Sequence, residues 1–181
     1  MNNINKIVRL SILTTIALTI FMIELHIPPL VPIPGVKLGL ANIITLIVLY
    51  LYGIREASTV LIIRILLGSM FSGQVVSLLY SLSGGLMCLL VMILLMKIVG
   101  KEVIWFVSVG GAIAHNIGQI IIAMILFQTT SVLYYLPVLI LSGVITGVFF
   151  LVHIFSKETY QNIIIKLTNI FRELLDFVKN L

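Results

Sequence analysis

The sequence predicts an all-α integral membrane protein: a bundle of six transmembrane helices followed by a C-terminal amphipathic helix. Two observations carry this prediction. Of the 181 residues, 61% are hydrophobic and 9% charged, and the mean hydropathy is +1.27. Soluble domains carry roughly a quarter charged residues, so the shortfall decides the class. The apolar residues also fall into six runs, each near the roughly 20 residues that cross a bilayer, with the charges gathered at their ends. The formal charge of +5 therefore bears on membrane orientation rather than on nucleic acid.

The first run, Ile7 to Leu25, is too long for a signal peptide and lacks a small-residue cleavage site, so it is expected to remain as a helix. Pro28, Pro29, Pro32 and Pro34 follow. Each fixes its own φ and pushes the residue before it towards an extended conformation. A rigid, non-helical loop is expected here, laid across the end of the bundle. The second and third runs, Leu38 to Tyr52 and Ala57 to Phe71, are short. The fourth to sixth are Val75 to Ile98, Val103 to Phe127 and Val132 to Phe155. No soluble domain or linker interrupts them, so residues 1–156 are expected to form one transmembrane domain. Residues 157–181 differ in kind. Ile163, Leu167, Ile170, Leu174, Val178 and Leu181 recur every three or four residues, with Lys166, Arg172, Glu173, Asp176 and Lys179 elsewhere around the helix. Ser156 is a candidate N-cap and Glu158 suits the first turn. A helix lying on the membrane surface and one docked on a partner both fit this pattern.

Orientation follows from the 11 Lys and Arg residues. With the N-terminus in the cytoplasm, Lys6, Arg9, Arg55, Lys97, Lys101, Lys157, Lys166, Arg172 and Lys179 gather on the inner side. Lys37 alone faces outward, and Arg64 lies inside a helix. Both termini are then cytoplasmic, and the proline loop faces outward.

A few polar residues stand out against this background. Arg64 falls about 10 Å into the third run, where an arginine needs a cavity or a counter-charge. Two readings stay open: a structural pair with Glu24, the acidic residue at comparable depth, or an arginine facing an anionic substrate with Glu24 as its resting charge partner. His115, Asn116 and Gln119 share a face of the fifth helix at three- and four-residue spacing. Gly110, Gly111, Ala112, Ala114 and Gly118 around them permit close approach. Interhelical hydrogen bonding and a lined cavity are the alternatives. One histidine with two amides is a poor metal set, so no metal is expected. In the string Pro34-Gly35-Val36-Lys37-Leu38-Gly39-Leu40-Ala41-Asn42, Lys37 is a snorkelling anchor or an anion contact, Asn42 needs a partner one turn into the second helix, and the glycines open the backbone to a ligand. Cys88 is expected to be a buried small hydrophobe. Tyr134 and Tyr135 fit an interfacial belt or a stack on a planar ring. Two small-residue stripes, Ser11-Thr15-Thr19 and Gly143-Gly147 with Ser142 and Thr146, fit helix packing within the chain or against a separate subunit.

The string at 34–42, the arginine in the third helix and the His115-Asn116-x-Gly118-Gln119 pattern together resemble a bacterial membrane family. It is known both as the Gx transporter family and as heptaprenyl diphosphate synthase component I. The resemblance covers about residues 5–155. That family in turn resembles the S components of energy-coupling-factor (ECF) transporters, six-helix proteins that capture vitamins from outside and work with a transmembrane coupling subunit and an ATPase pair. The resemblance implies vitamin uptake as the function, Lys37, Asn42, Arg64, His115, Asn116 and Gln119 as substrate contacts, and a flavin or flavin nucleotide as one cargo. It departs at the first helix: S components often carry alanines every four residues there, where this chain has Ser11, Thr15 and Thr19.

The alternative name makes a chemical claim. Prenyl chain elongation needs aspartate-rich motifs that hold magnesium against a diphosphate. The sole aspartate is Asp176, in the tail, and no nucleotide-binding P-loop occurs. No catalysis is expected. The second reading is thus a non-catalytic membrane accessory of heptaprenyl diphosphate or quinone synthesis.

Overall fold

The structure, a computed structural model, describes residues 3–27, 36–100 and 103–154. Pro28, Pro29, Pro32, Pro34, Gly35 and the expected amphipathic tail helix at 157–181 lie outside the described residues. Residues Met1–Val148 form one compact unit, and a second begins at Phe149.

The described residues are helical, with no strands. The helices are α1 (Asn3–His26), α2 (Asn42–Tyr52), α3 (Ile54–Ser72), α4 (Val75–Val99), α5 (Ile104–Phe127) and α6 (Leu136–Ile154), with a 3-10 segment at Thr130–Tyr135 before α6. Three of them, α1, α4 and α5, are long and apolar enough to cross a membrane. Residues such as Leu90, Ile125 and Met70 are exposed on helix faces that lipid would cover. Five of the six helices follow the expected runs to within a few residues. The sixth run splits, its first turn being 3-10.

The second run forms the shortest of these six helices. Its helix starts at Asn42, not Leu38, and has only 11 residues. At 1.5 Å per residue that is about 16 Å, half the hydrocarbon thickness of a bilayer. Its far end turns straight into α3 through Gly53, whose φ of +100° is open only to a residue without Cβ. Its near end begins halfway along α5, beside His115. The segment Val36–Ala41 is therefore tucked into the bundle, and Lys37 is partly buried there. Val36 packs with Tyr80, Ile120, Ala123, Val132 and Leu139 in an apolar cluster.

The α4–α5 hairpin forms the wall against which this segment rests. Small residues set its closeness: a Cβ on Gly118 would fall 2.8 Å from the Ser83 carbonyl oxygen, and Ser83 Oγ donates to the Gly118 carbonyl at 2.8 Å. The stripe on α6 packs within the chain, with Gly143 against Ala112 and Asn116 and Gly147 against Val109. The stripe on α1 does not. Ser11, Thr15 and Thr19 are exposed, and each hydroxyl donates to the carbonyl four residues earlier, at 3.1, 3.0 and 2.9 Å. That internal bonding lets hydroxyls sit on an outward helix face without an unmet donor. At the opposite end of α1 from Glu24, Lys6 pairs with Glu56 of α3.

Candidate functional site

Arg64 is 3% exposed on α3, packed among apolar helices. Its Nη2 donates to Asn42 Oδ1 at 2.9 Å, and its Nε has no partner. Glu24, 5% exposed, lies within electrostatic reach, but no ion pair within 4 Å joins the two. The carboxylate instead accepts the backbone N–H of Gly39, with the Leu40 N–H beside it. The direct Arg64–Glu24 pair expected as one alternative is thus not formed. The physical reason is the tucked segment, whose free backbone N–H groups reach the carboxylate first.

Asn42, the first residue of α2, joins this arginine to His115: its Nδ2 lies 2.9 Å from His115 Nδ1. On the far edge of the ring, Nε2 lies 2.9 Å from Gln119 Nε2. Arginine only donates, so Asn42 turns its oxygen to Arg64 and its NH2 to Nδ1. Gln119 also holds the tucked segment, its Oε1 accepting the Lys37 backbone N–H at 3.3 Å.

The imidazole is also gripped by two backbones. A Cβ on Gly39 would fall 2.6 Å from its Cδ2, and one on Gly84 of α4 would fall 2.6 Å from its Cε1 and Nδ1. Gly39 holds φ +79°, a left-handed conformation natural to glycine. Lys37 Nζ sits 3.7 Å over the Phe21 ring and donates to Ser77 Oγ. Burial pushes its ammonium down to about 8, with Glu24 pulling the other way and Arg64 adding repulsion.

Lys37, Asn42, Arg64, His115 and Gln119 are thus brought together around Val36–Ala41. Asn116 is not. It reaches across to α6, donating to the Leu139 carbonyl at 2.5 Å, with its Oδ1 unpartnered. Its side chain leaves the helix 100° away from that of His115, and the close approach of α6 at Gly143 captures it. Tyr134 is exposed and Tyr135 packs against the apolar cluster. Cys88 is buried, its thiol 3.8 Å from Met92 Sδ. Among the described residues no His, Cys, Asp and Glu cluster has the makings of a metal site.

Sequence reasoning did not find Phe21, Ser77, Gly84 or Ser108. The first three touch Lys37 or His115. Ser108 lines a cleft with Gly39, Asn42, Met92 and Gly147, with room for one or two water molecules. No sequence signal marks these residues, since each looks like ordinary helix packing until the segment is placed against it.

A family model described as heptaprenyl diphosphate synthase component I matches residues 13–156. No curated protein and no solved structure matches the chain.

Proposed function

Since the chain belongs to the heptaprenyl diphosphate synthase component I family, we propose that it is a non-enzymatic membrane transport subunit that captures a small anionic substrate, in the manner of ECF S components. In this reading the chain makes six passes through a bacterial plasma membrane with both termini cytoplasmic, the half-length α2 making its pass together with the segment Val36–Ala41 before it. The substrate enters from the outer side, and the segment Val36–Ala41 closes over it. A coupling subunit and an ATPase pair supply the energy, since the chain has no P-loop of its own.

One observation carries the reading: Arg64 is buried, paired only with a neutral amide, and keeps an unpartnered Nε. An arginine at the centre of a membrane helix costs about 2.5–3.5 kcal/mol even on the gentlest scale. A cost of that size without a direct counter-ion suits a group kept for an incoming anion. Lys37 at the same site, with the amides of Asn42 and Gln119, would balance charge and fix orientation. A flavin nucleotide, whose phosphate carries the charge, fits as one such anion with a planar body.

The family's description favours a second reading, a non-catalytic accessory that presents a polyprenyl diphosphate to a partner enzyme. The same cations would then hold the diphosphate.

Native mass spectrometry and absorbance of the detergent-solubilised wild type and Arg64→Ala separate these. A bound anionic metabolite lost in a folded Arg64→Ala protein supports transport capture, and a yellow wild type that turns colourless would identify a flavin. A co-purified polyprenyl diphosphate moves the assignment to the accessory. A ligand retained in full by Arg64→Ala overturns the role given to this arginine.

A further inference from the structure

Resting on that capture reading, we infer that the ligand of this site carries a single negative charge: it is a carboxylic acid or a phosphodiester, and not a doubly charged phosphate monoester or a diphosphate. Charge is scarce enough in this interior to count. α1 brings Glu24, the tucked segment brings Lys37 and α3 brings Arg64, and the three lie within electrostatic reach of one another. Otherwise residues 37–96 carry only Arg55 and Glu56, in the first turn of α3, where Glu56 pairs with Lys6. Residues 103–152, which supply α5 and nearly all of α6, carry no Lys, Arg, Asp or Glu. At pH 7 an imidazole is mostly neutral and a thiol is protonated, so His115 and Cys88 add nothing to the count. Two cations thus face one carboxylate, and the site holds one positive charge in excess.

The hydrogen bonds of the site do not remove that excess. Lys37 Nζ lies over the Phe21 ring and donates to Ser77, and Arg64 donates to Asn42. These partners are neutral, so they ease a buried cation without cancelling its charge. Glu24 accepts the Gly39 N–H and forms no direct ion pair with either cation. Whether it turns to Arg64 or to Lys37 as a ligand is taken up, its one charge balances one of them and leaves the other. Where charge is poorly screened, the cation left over attracts the first negative charge of a ligand and has nothing for a second. The second would stand near Glu24 without a cation of its own, a like-charge contact that acts as rejection. An uncharged ligand leaves the excess cation buried without a counter-charge, which is costly. Phosphate monoesters are close to doubly charged at pH 7, so a flavin mononucleotide enters only with a proton on its phosphate.

The test uses the full chain in detergent near neutral pH and ligands in matched pairs that differ by one charge on the same body. They are flavin mononucleotide against its phosphate methyl ester, phenyl phosphate against phenyl methyl phosphate, and terephthalate against its monomethyl ester. Binding is read by equilibrium dialysis and thermal shift. The expected result in wild type is a preference of roughly tenfold or more for the singly charged member of a binding pair. Glu24→Gln gives the site one more positive charge, so the preference should vanish or reverse although the methyl group is the same. Lys37→Met removes the excess, so the singly charged members should lose most of their affinity. Equal or tighter binding of the doubly charged members in wild type overturns this inference and leaves anion capture standing, and that comparison decides even where a variant does not fold. A preference unchanged in a folded Glu24→Gln belongs to the methyl group and also overturns it, as does undiminished binding in a folded Lys37→Met. Failure of every anion to bind removes the capture reading and this inference with it.

Discussion

A methyl group at Gly39 meets two obstacles: the left-handed φ of +79°, and a Cβ position 2.6 Å from His115 Cδ2 and 3.0 Å from Asn42 Nδ2. The conformation alone costs roughly 1–2 kcal/mol for an L-residue. Gly39→Ala is expected to lower the thermal midpoint in detergent by several degrees, and a midpoint equal to wild type would show that the segment is not seated on His115. Lys37 makes a pH prediction. Its ammonium, brought from 10.5 to about 8 by burial, is charged at neutral pH and discharged above that value. Affinity for an anionic ligand should therefore fall several-fold between pH 7 and 9.5 in wild type and stay flat in Lys37→Met. Stability moves the other way. Between about pH 8 and 10.5 the unfolded chain holds a proton here that the folded chain has lost, so this group's contribution to unfolding free energy rises with pH. Opposite slopes in binding and in thermal stability identify Lys37, whereas a shared slope assigns the effect to another group.

At the scale of elements, the α4–α5 hairpin and the half-length α2 decide the site. The hairpin is close because Gly118 faces backbone, and backbone cannot turn aside. Gly118→Ala places a methyl 2.8 Å from the Ser83 carbonyl oxygen and 3.0 Å from Gly84 Cα. It is expected to cost about 1–3 kcal/mol, as overpacking does. Gly110→Ala is a useful contrast on the same helix, since its methyl meets the far end of the Leu95 side chain, which can rotate away. With alanine the better helix former by about 0.8–1.0 kcal/mol, that variant should be near neutral. Unfolding of both variants in denaturing detergent mixtures checks this ranking, and equal losses would mean that the hairpin is not backbone-tight at Gly118. The half-length of α2 has its own cause. Gly39 and the backbone N–H groups taken by Glu24 and Gln119 let an irregular segment end inside the bundle, where unbonded peptide groups are not tolerated.

For the whole molecule, the basic residues predict sidedness, which cysteine labelling tests directly. In a Cys88→Ser background, Gln74→Cys between α3 and α4 should react with a membrane-impermeant maleimide on intact cells, and Arg55→Cys only after permeabilisation. The reverse pattern would invert the topology and place the entrance on the inside. Composition and the length of the apolar runs pointed to a helical membrane protein, because apolar runs near 20 residues can satisfy their backbone in lipid within each helix. The apolar runs gave the helices, since periodicity and length are local properties. The oddity of Arg64, Asn42, His115 and Gln119 was equally visible, because polar groups stand out in an apolar chain. What they touch was not. The tertiary structure decided that α2 is half a helix, that Gly39 stands between Glu24 and His115, and that Asn116 belongs to α6. These are contacts between residues up to 82 positions apart, as in the Lys37–Gln119 bond. Hydrogen bonds and close packing form between whichever groups the folded helices bring within about 3 Å, and no local pattern in the chain encodes that distance.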